Sequence, residues 1–598
     1  MKKLLSIVMA LALVLCLGTA ALADSDNFLD LTDGTVYEVT EATHLTRLTI
    51  DETSSLTAPE GYTPVVAVDG YVKTVEAGTA YAFYGDVTVL PVSDDAIISE
   101  NIRGASAVYV EDGNSIAMDG QVIIGYGYID GEYIDADGDG VLTEDEWSSD
   151  TSNEYGSKFG MAAGVLVTGE GSSAELTDCD IRTASGSTAN GVFAANGSVV
   201  TITDSTVITN NSQGHGLDAT FGGTFYVDNC VIRTNGGSSS SLSTDFGGGF
   251  FYVTNSYAES NTTGSGAIYA AGSSIYIVKD STLYTNRSET IMNAHNNSVV
   301  VCVDSFLHGP EIFDGHQAMP SPASASGDNT YTFNCTLEAV DTAIIHQQGG
   351  VTTHNLISCD TSLCSADYAV ELEYENGMGA GKLYINLWDT DLTGDVYCYE
   401  GGTIEINLYD GATLTGEVIK DGECDVTINV YNGGEYVGEY DANVIDETVA
   451  APEYSDDTYG SIEWIRDESG LWAAGNSFSS YQSTWDTYVQ PVIAAASSNV
   501  NGASNEPTVV TASGELGVGA SGVDMFDLYI EYMRSQLIEG DEFYEEFSSA
   551  LDTVFEAGYD ETTMPFEMFI SNGALGYEDF AVYYAENGEF PPAADFGA

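Results

Sequence analysis

Basic residues are almost absent from this 598-residue chain: 14 Lys and Arg stand against 92 Asp and Glu, for a formal net charge of −78. A surface of that sign repels nucleic acid, anionic lipid headgroups and acidic polysaccharides, which argues against all three as partners, and it attracts divalent cations. Cysteine is scarce and scattered, nine residues without a dense spacing pattern, so a disulfide-stapled mini-scaffold is excluded. Beyond the first twenty residues no apolar run approaches the roughly 20 residues that a bilayer span needs. What the chain does have is 43% hydrophobic residues, 65 Gly and 37 Tyr. That content excludes a disordered acidic tail and favours β-structure with many turns. A chain of this length calls for a solenoid or several domains.

The amino terminus carries Lys2 and Lys3, an apolar run from Leu4 to Leu17, and Ala21-Leu22-Ala23. This is the order of a secretory leader with its small-x-small cleavage site, and it predicts a signal peptide over 1–23 and a mature chain from Asp24. Leu13-Val14-Leu15 ahead of Cys16 lacks the small residue of a lipoprotein signal. The expected product is secreted or held non-covalently at a cell surface.

A five-residue phrase recurs: Thr177-Asp178-Cys179-Asp180-Ile181, Thr203-Asp204-Ser205-Thr206-Val207, Val227-Asp228-Asn229-Cys230-Val231, Val253-Thr254-Asn255-Ser256-Tyr257, Lys279-Asp280-Ser281-Thr282-Leu283 and Val303-Asp304-Ser305-Phe306-Leu307. Aligned on their second residues, the copies lie 26, 24, 26, 26 and 24 apart. Such a unit holds two or three short strands and cannot bury its apolar face alone, so copies must stack. The interval is too short for a propeller blade or for a crossover helix. The predicted fold is all-β: a single-stranded right-handed parallel β-helix with an N-terminal β cap or domain and a small C-terminal α-helical domain. The expected boundaries are 24–100 for the β-rich cap, 101–163 for the first rungs and an inserted loop, 164–445 for the regular helix, 446–520 for an irregular segment and linker, and 521–598 for the acidic helical domain, where Phe526, Tyr529, Ile530 and Met533 fall at helical spacing.

Three further phrases, Arg233-Thr234-Asn235-Gly236-Gly237-Ser238, Gly247-Gly248-Gly249-Phe250 and Ser265-Gly266-Ala267-Ile268-Tyr269, carry a resemblance to the adhesin-like right-handed β-helix proteins of Gram-positive bacteria. It covers about 160–310 well and 330–440 loosely. It implies a secreted or surface protein of adhesive role and transfers no catalytic residue.

The strongest chemical motif is Asp135-Ala136-Asp137-Gly138-Asp139-Gly140-Val141-Leu142-Thr143-Glu144-Asp145-Glu146, with the spacing of an EF-hand calcium loop. Asp135, Asp137 and Asp139 would give carboxylate oxygens, Val141 its carbonyl, Thr143 a water-mediated contact and Glu146 two oxygens to a structural Ca2+. The competing reading is a solvated acidic turn. A second feature is the row Ile385-Asn386-Leu387-Trp388, Ile406-Asn407-Leu408-Tyr409 and Ile428-Asn429-Val430-Tyr431. With Ile and Leu inward, strand alternation sends Asn386, Asn407, Asn429, Trp388, Tyr409 and Tyr431 outward, either as a platform for sugar faces or as stacked groups that stabilise neighbouring rungs.

Gly214-His215-Gly216 is similar to a short segment of the polygalacturonases, but the paired-Asp and Arg-x-Lys segments that accompany it there are missing. His215 therefore reads as a turn residue. His308, Glu311, Asp314 and His316 border a Pro- and Ser-rich insertion and could gather a transition metal, although no spacing rule selects them. A lyase needs a basic residue near calcium, and Arg182, Arg233, Lys279, Arg287, Lys382 and Lys420 are dispersed over different rungs. Cys179 and Cys230, two rungs apart, are too distant to bridge, whereas Cys335 and Cys359 fall on adjacent rungs. The sequence thus points to a calcium-stabilised adhesin-like protein that binds a glycan or an extracellular matrix protein, with no convergent catalytic set. The rival readings are a carbohydrate-active β-helix enzyme, a lyase or a glycoside hydrolase, and a spacer holding the helical domain away from the cell.

Overall fold

The computed structural model describes residues 28–495 apart from 126–158, 316–326, 462–478 and shorter gaps at 33, 41–42, 60, 69–70, 74, 76–77, 94–95, 99–103, 184–188, 211–212, 246, 295–296, 376–378 and 480–481. The leader, the calcium loop Asp135 to Glu146 and the helical domain 521–598 lie outside the described residues. The described residues form two compact units, one within Met1–Asp94 and one within Asp95–Ala512.

In the first unit, Tyr81–Ser93 lies between Thr43–Ile50 and Tyr62–Val68 and runs antiparallel to both. Phe28–Leu31 and Tyr71–Lys73 complete a five-stranded sheet. Leu45, Leu48 and Ile50 all enter its core with Val66, Val87 and Val89. They can do so despite their mixed parity because a bulge between Leu45 and Arg47 switches the alternation.

The second unit is the right-handed parallel β-helix, with described sheets of thirteen, twelve and nine strands. The long sheet runs from Ser115–Asp119 to Asn443–Val444, the lateral sheet from Val108–Val110 to Val418–Lys420, and the third sheet from Ile97–Ile98 to Thr336–Ala339. The turn between the long and third sheets is made by one residue at positive φ per rung: Asp178, Asp204, Asn229, Asn255, Asp280, Asp304 and Asn334, with φ between 48° and 53°. Asp and Asn tolerate this left-handed conformation better than other side chains. Strand pairing aligns Thr203 with Asp228 and Asp228 with Thr254, so the equivalent of Asp204 is Asn229, not Asp228. This corrects the register expected from sequence by one residue in two copies. Asp-Asn offers two residues suited to the same turn, and only pairing decides between them.

The residue after each turn is small and polar and ties one rung to the next. Cys179 N–H donates to Ser205 Oγ at 3.0 Å, Cys230 to Ser256 at 3.0 Å, Ser256 to Ser281 at 3.1 Å and Ser281 to Ser305 at 3.2 Å. At the far end of the third sheet, Thr183, Thr209 and Thr285 donate across the next turn to Ala189, Gly214 and Ser288 carbonyls at 2.6–2.8 Å. Between these corners the core is a set of ladders, including the stacked rings of Phe225, Phe251 and Tyr276 at centroid spacings of 5.1 and 4.9 Å. Gly191 and Gly216 open lateral strands where the rungs close in. A Cβ at Gly216 would lie 2.3 Å from Ile232 Cγ2. All eight described cysteines are free thiols, Cys335 and Cys359 included.

Two outer faces are apolar and are covered by the chain itself. Phe250, Ile275, Ile277, Val299, Val301, Phe333, Ile357 and Trp388 face outward from the long sheet and are packed by Val449, Tyr454 and Tyr459. The stretch from Val449 to Tyr459, at the start of the irregular segment, is thus a strap returning along the solenoid, pinned where Trp388 Nε1 donates to the Val449 carbonyl at 3.3 Å and Lys279 Nζ meets Asp456 at 3.1 Å. On the lateral sheet, Tyr109, Leu166 and Phe193 are covered by Trp485, Val489 and Ile493 of the helical segment 482–495. No helix among the described residues is long and apolar enough to cross a membrane.

The turn account makes a direct prediction. Asn255→Ala, forced to hold φ near 51° and deprived of its 2.7 Å bond to Asp228, loses about 1–2 kcal/mol. Asn255→Gly loses less. Urea unfolding curves of the two variants measure the difference.

Candidate functional site

Along the lateral sheet, the middle residue of each strand points away from the core. Pairing sets these residues in one row: Tyr109, Leu166, Phe193, Asp218, Ser243, Tyr269, Met292, Asp314, His346, Glu371, Tyr397 and Ile419. Their neighbours on either side, such as Leu217 and Ala219 or Ile268 and Ala270, belong to the core. Successive members of the row are about 4.8 Å apart. The row is apolar where the helical segment covers it and becomes polar at Asp218.

The densest polar stretch lies around His346. Its Nδ1 is 2.9 Å from Glu311 Oε2 and 3.8 Å from Asp314 Oδ1, and its Nε2 is 3.7 Å from Glu373 Oε2. Burial opposes the charged imidazolium, yet the hydrogen bond to Glu311 and the nearby carboxylates of Glu373 and Asp314 outweigh it and hold the His346 pKa up at about 11. Glu371 sits beside His346 on the next rung with 6% of its surface exposed, and its Oε2 is buried with no hydrogen-bond partner. Burial, helped by the charge of Glu373 and opposed by that of His346, raises its pKa to about 7. Glu373 is half-exposed, and the His346 imidazole 3.7 Å away lowers its pKa. Two carboxyls two residues apart, one in the strand Tyr368–Leu372 and one just past its end, are thereby driven in opposite directions, the pattern that separates an acid from a base.

Further along the row, Asp218 is fully buried and its Oδ2 lacks a partner, as does Ser243 Oγ beside it. Burial and the charge of Asp245 raise the Asp218 pKa well above the ordinary carboxylate range. Half-buried rings of Tyr269 and Tyr397 bracket the His346 group along the sheet.

The residues singled out from sequence fall elsewhere or only in part here. Glu311 and Asp314 join this group, but His308 faces out from the third sheet, 2.9 Å from Glu338 and stacked 4.1 Å from Tyr284. His316 lies outside the described residues, as do Asp135, Asp137, Asp139, Val141, Thr143 and Glu146. Among the described residues no group of three or more His, Cys, Asp or Glu is arranged to hold a metal ion. His215 is buried at the turn, where its Nδ1 accepts the Ser240 N–H at 3.0 Å.

Asn386, Asn407 and Asn429 do face outward, in a ladder from Asn355 to Asn443 whose amides bond one another at 2.8–3.0 Å. Trp388 stacks on Tyr409 at 4.3 Å, and Tyr409 packs on Tyr431 at 4.6 Å. Trp388 is only 7% exposed, beneath the strap, while Tyr409 and Tyr431 remain half-buried.

His346 and Glu371 escaped the sequence reading. Their signal is a polar residue at the centre of an apolar strand, Ile345-His346-Gln347 and Val370-Glu371-Leu372, 25 residues apart.

No protein-family model and no curated protein matches the chain. Among solved structures it is similar to the crystal structure of the tailspike protein gp49 from Pseudomonas phage LKA1, at 12% identity and a TM-score of 0.17, covering 70% of this chain and 67% of that one.

The two raised pKa values carry a stability prediction of definite sign. Glu371 favours folding most below its ordinary value of 4.5, and this contribution is lost as pH rises to about 7. The His346 contribution is complete below 6.5 and is lost as pH climbs toward about 11. Tm therefore falls from pH 5 to pH 8, and Glu371→Gln melts higher than wild type above pH 7 but not below pH 4.5. Calorimetry across that range checks it.

Proposed function

We propose that the chain is an exported, adhesin-like β-helix protein that binds an uncharged glycan along the polar row of its lateral sheet. The observation that carries this reading is that half-exposed Glu373 and the half-buried rings of Tyr269 and Tyr397 lie on or beside a row of regularly spaced rungs whose outward polar atoms Glu371 Oε2, Asp218 Oδ2 and Ser243 Oγ lack a partner. Buried polar atoms cost free energy unless they are satisfied, and sugar hydroxyls both donate and accept. The half-buried rings of Tyr269 and Tyr397 offer apolar faces to a pyranose ring. The net charge of −78 selects against acidic glycans. Export rests on the leader pattern of residues 1–23.

Calorimetric titration of the full chain with soluble xylan, galactomannan, mixed-linkage glucan and polygalacturonate tests the reading. Binding to at least one neutral polymer and not to polygalacturonate is expected, with His346→Ala weakening it at least tenfold, or about 1.4 kcal/mol. Unchanged affinity in that variant, together with loss in Tyr409→Ala and Tyr431→Ala, would place the glycan on the long sheet instead. The loop Asp135 to Glu146 would add one structural Ca2+, since a cation bound only by the folded state stabilises it. EDTA then lowers Tm, and an unchanged melting curve removes calcium from the account.

A further inference from the structure

We propose that the same row hydrolyses the glycan it binds, with Glu371 as general acid and Glu373 as the base that activates water. This rests on the glycan reading and goes beyond it by assigning a reaction. Glu371, in the strand Tyr368–Leu372, and Glu373, directly after its end, flank the core residue Leu372, and both lie beside His346. Residues so placed are about 6.6 Å apart, and side chains stand roughly perpendicular to a strand. Inverting glycosidases hold their two carboxyls about 6.5–9.5 Å apart, leaving room for a water.

The two environments suit the two roles. Glu371 is more than nine-tenths buried with Oε2 unpartnered, surroundings that favour its neutral, proton-carrying form. Glu373 is half-exposed, which gives solvent access to its carboxylate, and His346 Nε2 at 3.7 Å keeps it ionised. His346, bonded to Glu311 at 2.9 Å on its other nitrogen, is a positioning residue that acts through Glu373.

In the step itself, the Glu371 O–H bond breaks and its proton passes to the bridging oxygen. That oxygen keeps the electron pair of the C1–O bond as it cleaves. A water oxygen bonds to C1 from the opposite face and gives a proton to Glu373. One water is consumed and nothing is oxidised. Exchange with solvent then returns a proton to Glu371 and removes one from Glu373.

The test uses the full chain with the same neutral polymers, following reducing ends, the anomer by proton NMR, and binding by calorimetry. Release of the inverted anomer is expected, with kcat/KM falling above about pH 7. Glu371→Gln and Glu373→Gln each lower kcat by about 10²–10⁴-fold while Kd stays within a few-fold, and Glu338→Gln on the third sheet keeps the wild-type rate. His346→Gln displaces the pH profile, which a purely structural role would not do. Binding without release of reducing ends overturns the hydrolase and leaves the binding reading standing. Absence of binding overturns both. Release of the retained anomer overturns the base role of Glu373. Should Glu371→Gln fail to give a wild-type circular dichroism spectrum, the half-exposed Glu373→Gln decides.

Discussion

Everything in the second unit depends on the stacking of rungs about 4.8 Å apart in parallel register. At that spacing a residue type placed once per rung becomes a ladder, and each ladder solves a local problem. The left-handed Asp or Asn turns the corner, the Ser or Cys after it accepts the next rung's N–H, and Thr closes the far corner. These polar ladders satisfy backbone groups that an all-apolar corner would leave bare, and each would otherwise cost the price of an orphaned hydrogen bond. The same constraint turns single outward residues into a continuous row, so a site can extend over several rungs without any one loop building it.

The outer surface is divided according to what covers it. A solenoid buries its inward residues by stacking, but outward apolar ones need a second layer. The strap supplies one over Phe250 to Trp388, and the helical segment supplies another over Tyr109, Leu166 and Phe193. Where the helical segment ends, the lateral row turns from rings and Leu to Asp218, and later to Asp314, His346 and Glu371. There the net acidity of the chain is put to local use: carboxylates hold His346 charged, and His346 in turn lowers the pKa of Glu373 beside a Glu371 whose pKa burial raises to about 7. Acidic residues that merely solvate a surface would not titrate apart in this way.

Much of the fold was legible because ladder residues repeat. The phrase from Thr177 to Ile181 and its five copies marked one corner of six rungs, and alternation about Ile385 and Leu387 placed Asn386 outward. The one-residue slip at Asp228 arose because Asp and Asn both suit a left-handed turn, so composition alone could not choose between Asp228 and Asn229. The site was less legible for a related reason. A row across rungs is a set of residues 22 to 32 apart in sequence, and insertions such as the one between Gly315 and Gly327 shift the interval. Glu311 and Asp314 were visible as an unusual cluster, but their partner His346 belongs to the next rung and only pairing brings it in. The rings of Trp388, Tyr409 and Tyr431 stood out for the opposite reason, since their spacing is regular, while the strap over Trp388 leaves no mark in the local pattern.

The central claim is that the lateral row holds a carboxyl whose pKa is raised to about 7 beside one whose pKa is lowered. Carbon-13 NMR titration of Glu371 in the full chain, assigned by comparison with Glu371→Gln, tests it most directly. The account predicts a midpoint near 7 that moves when a bound neutral glycan takes up its hydrogen bond. A midpoint near the ordinary 4.5, unmoved by any glycan, would contradict it.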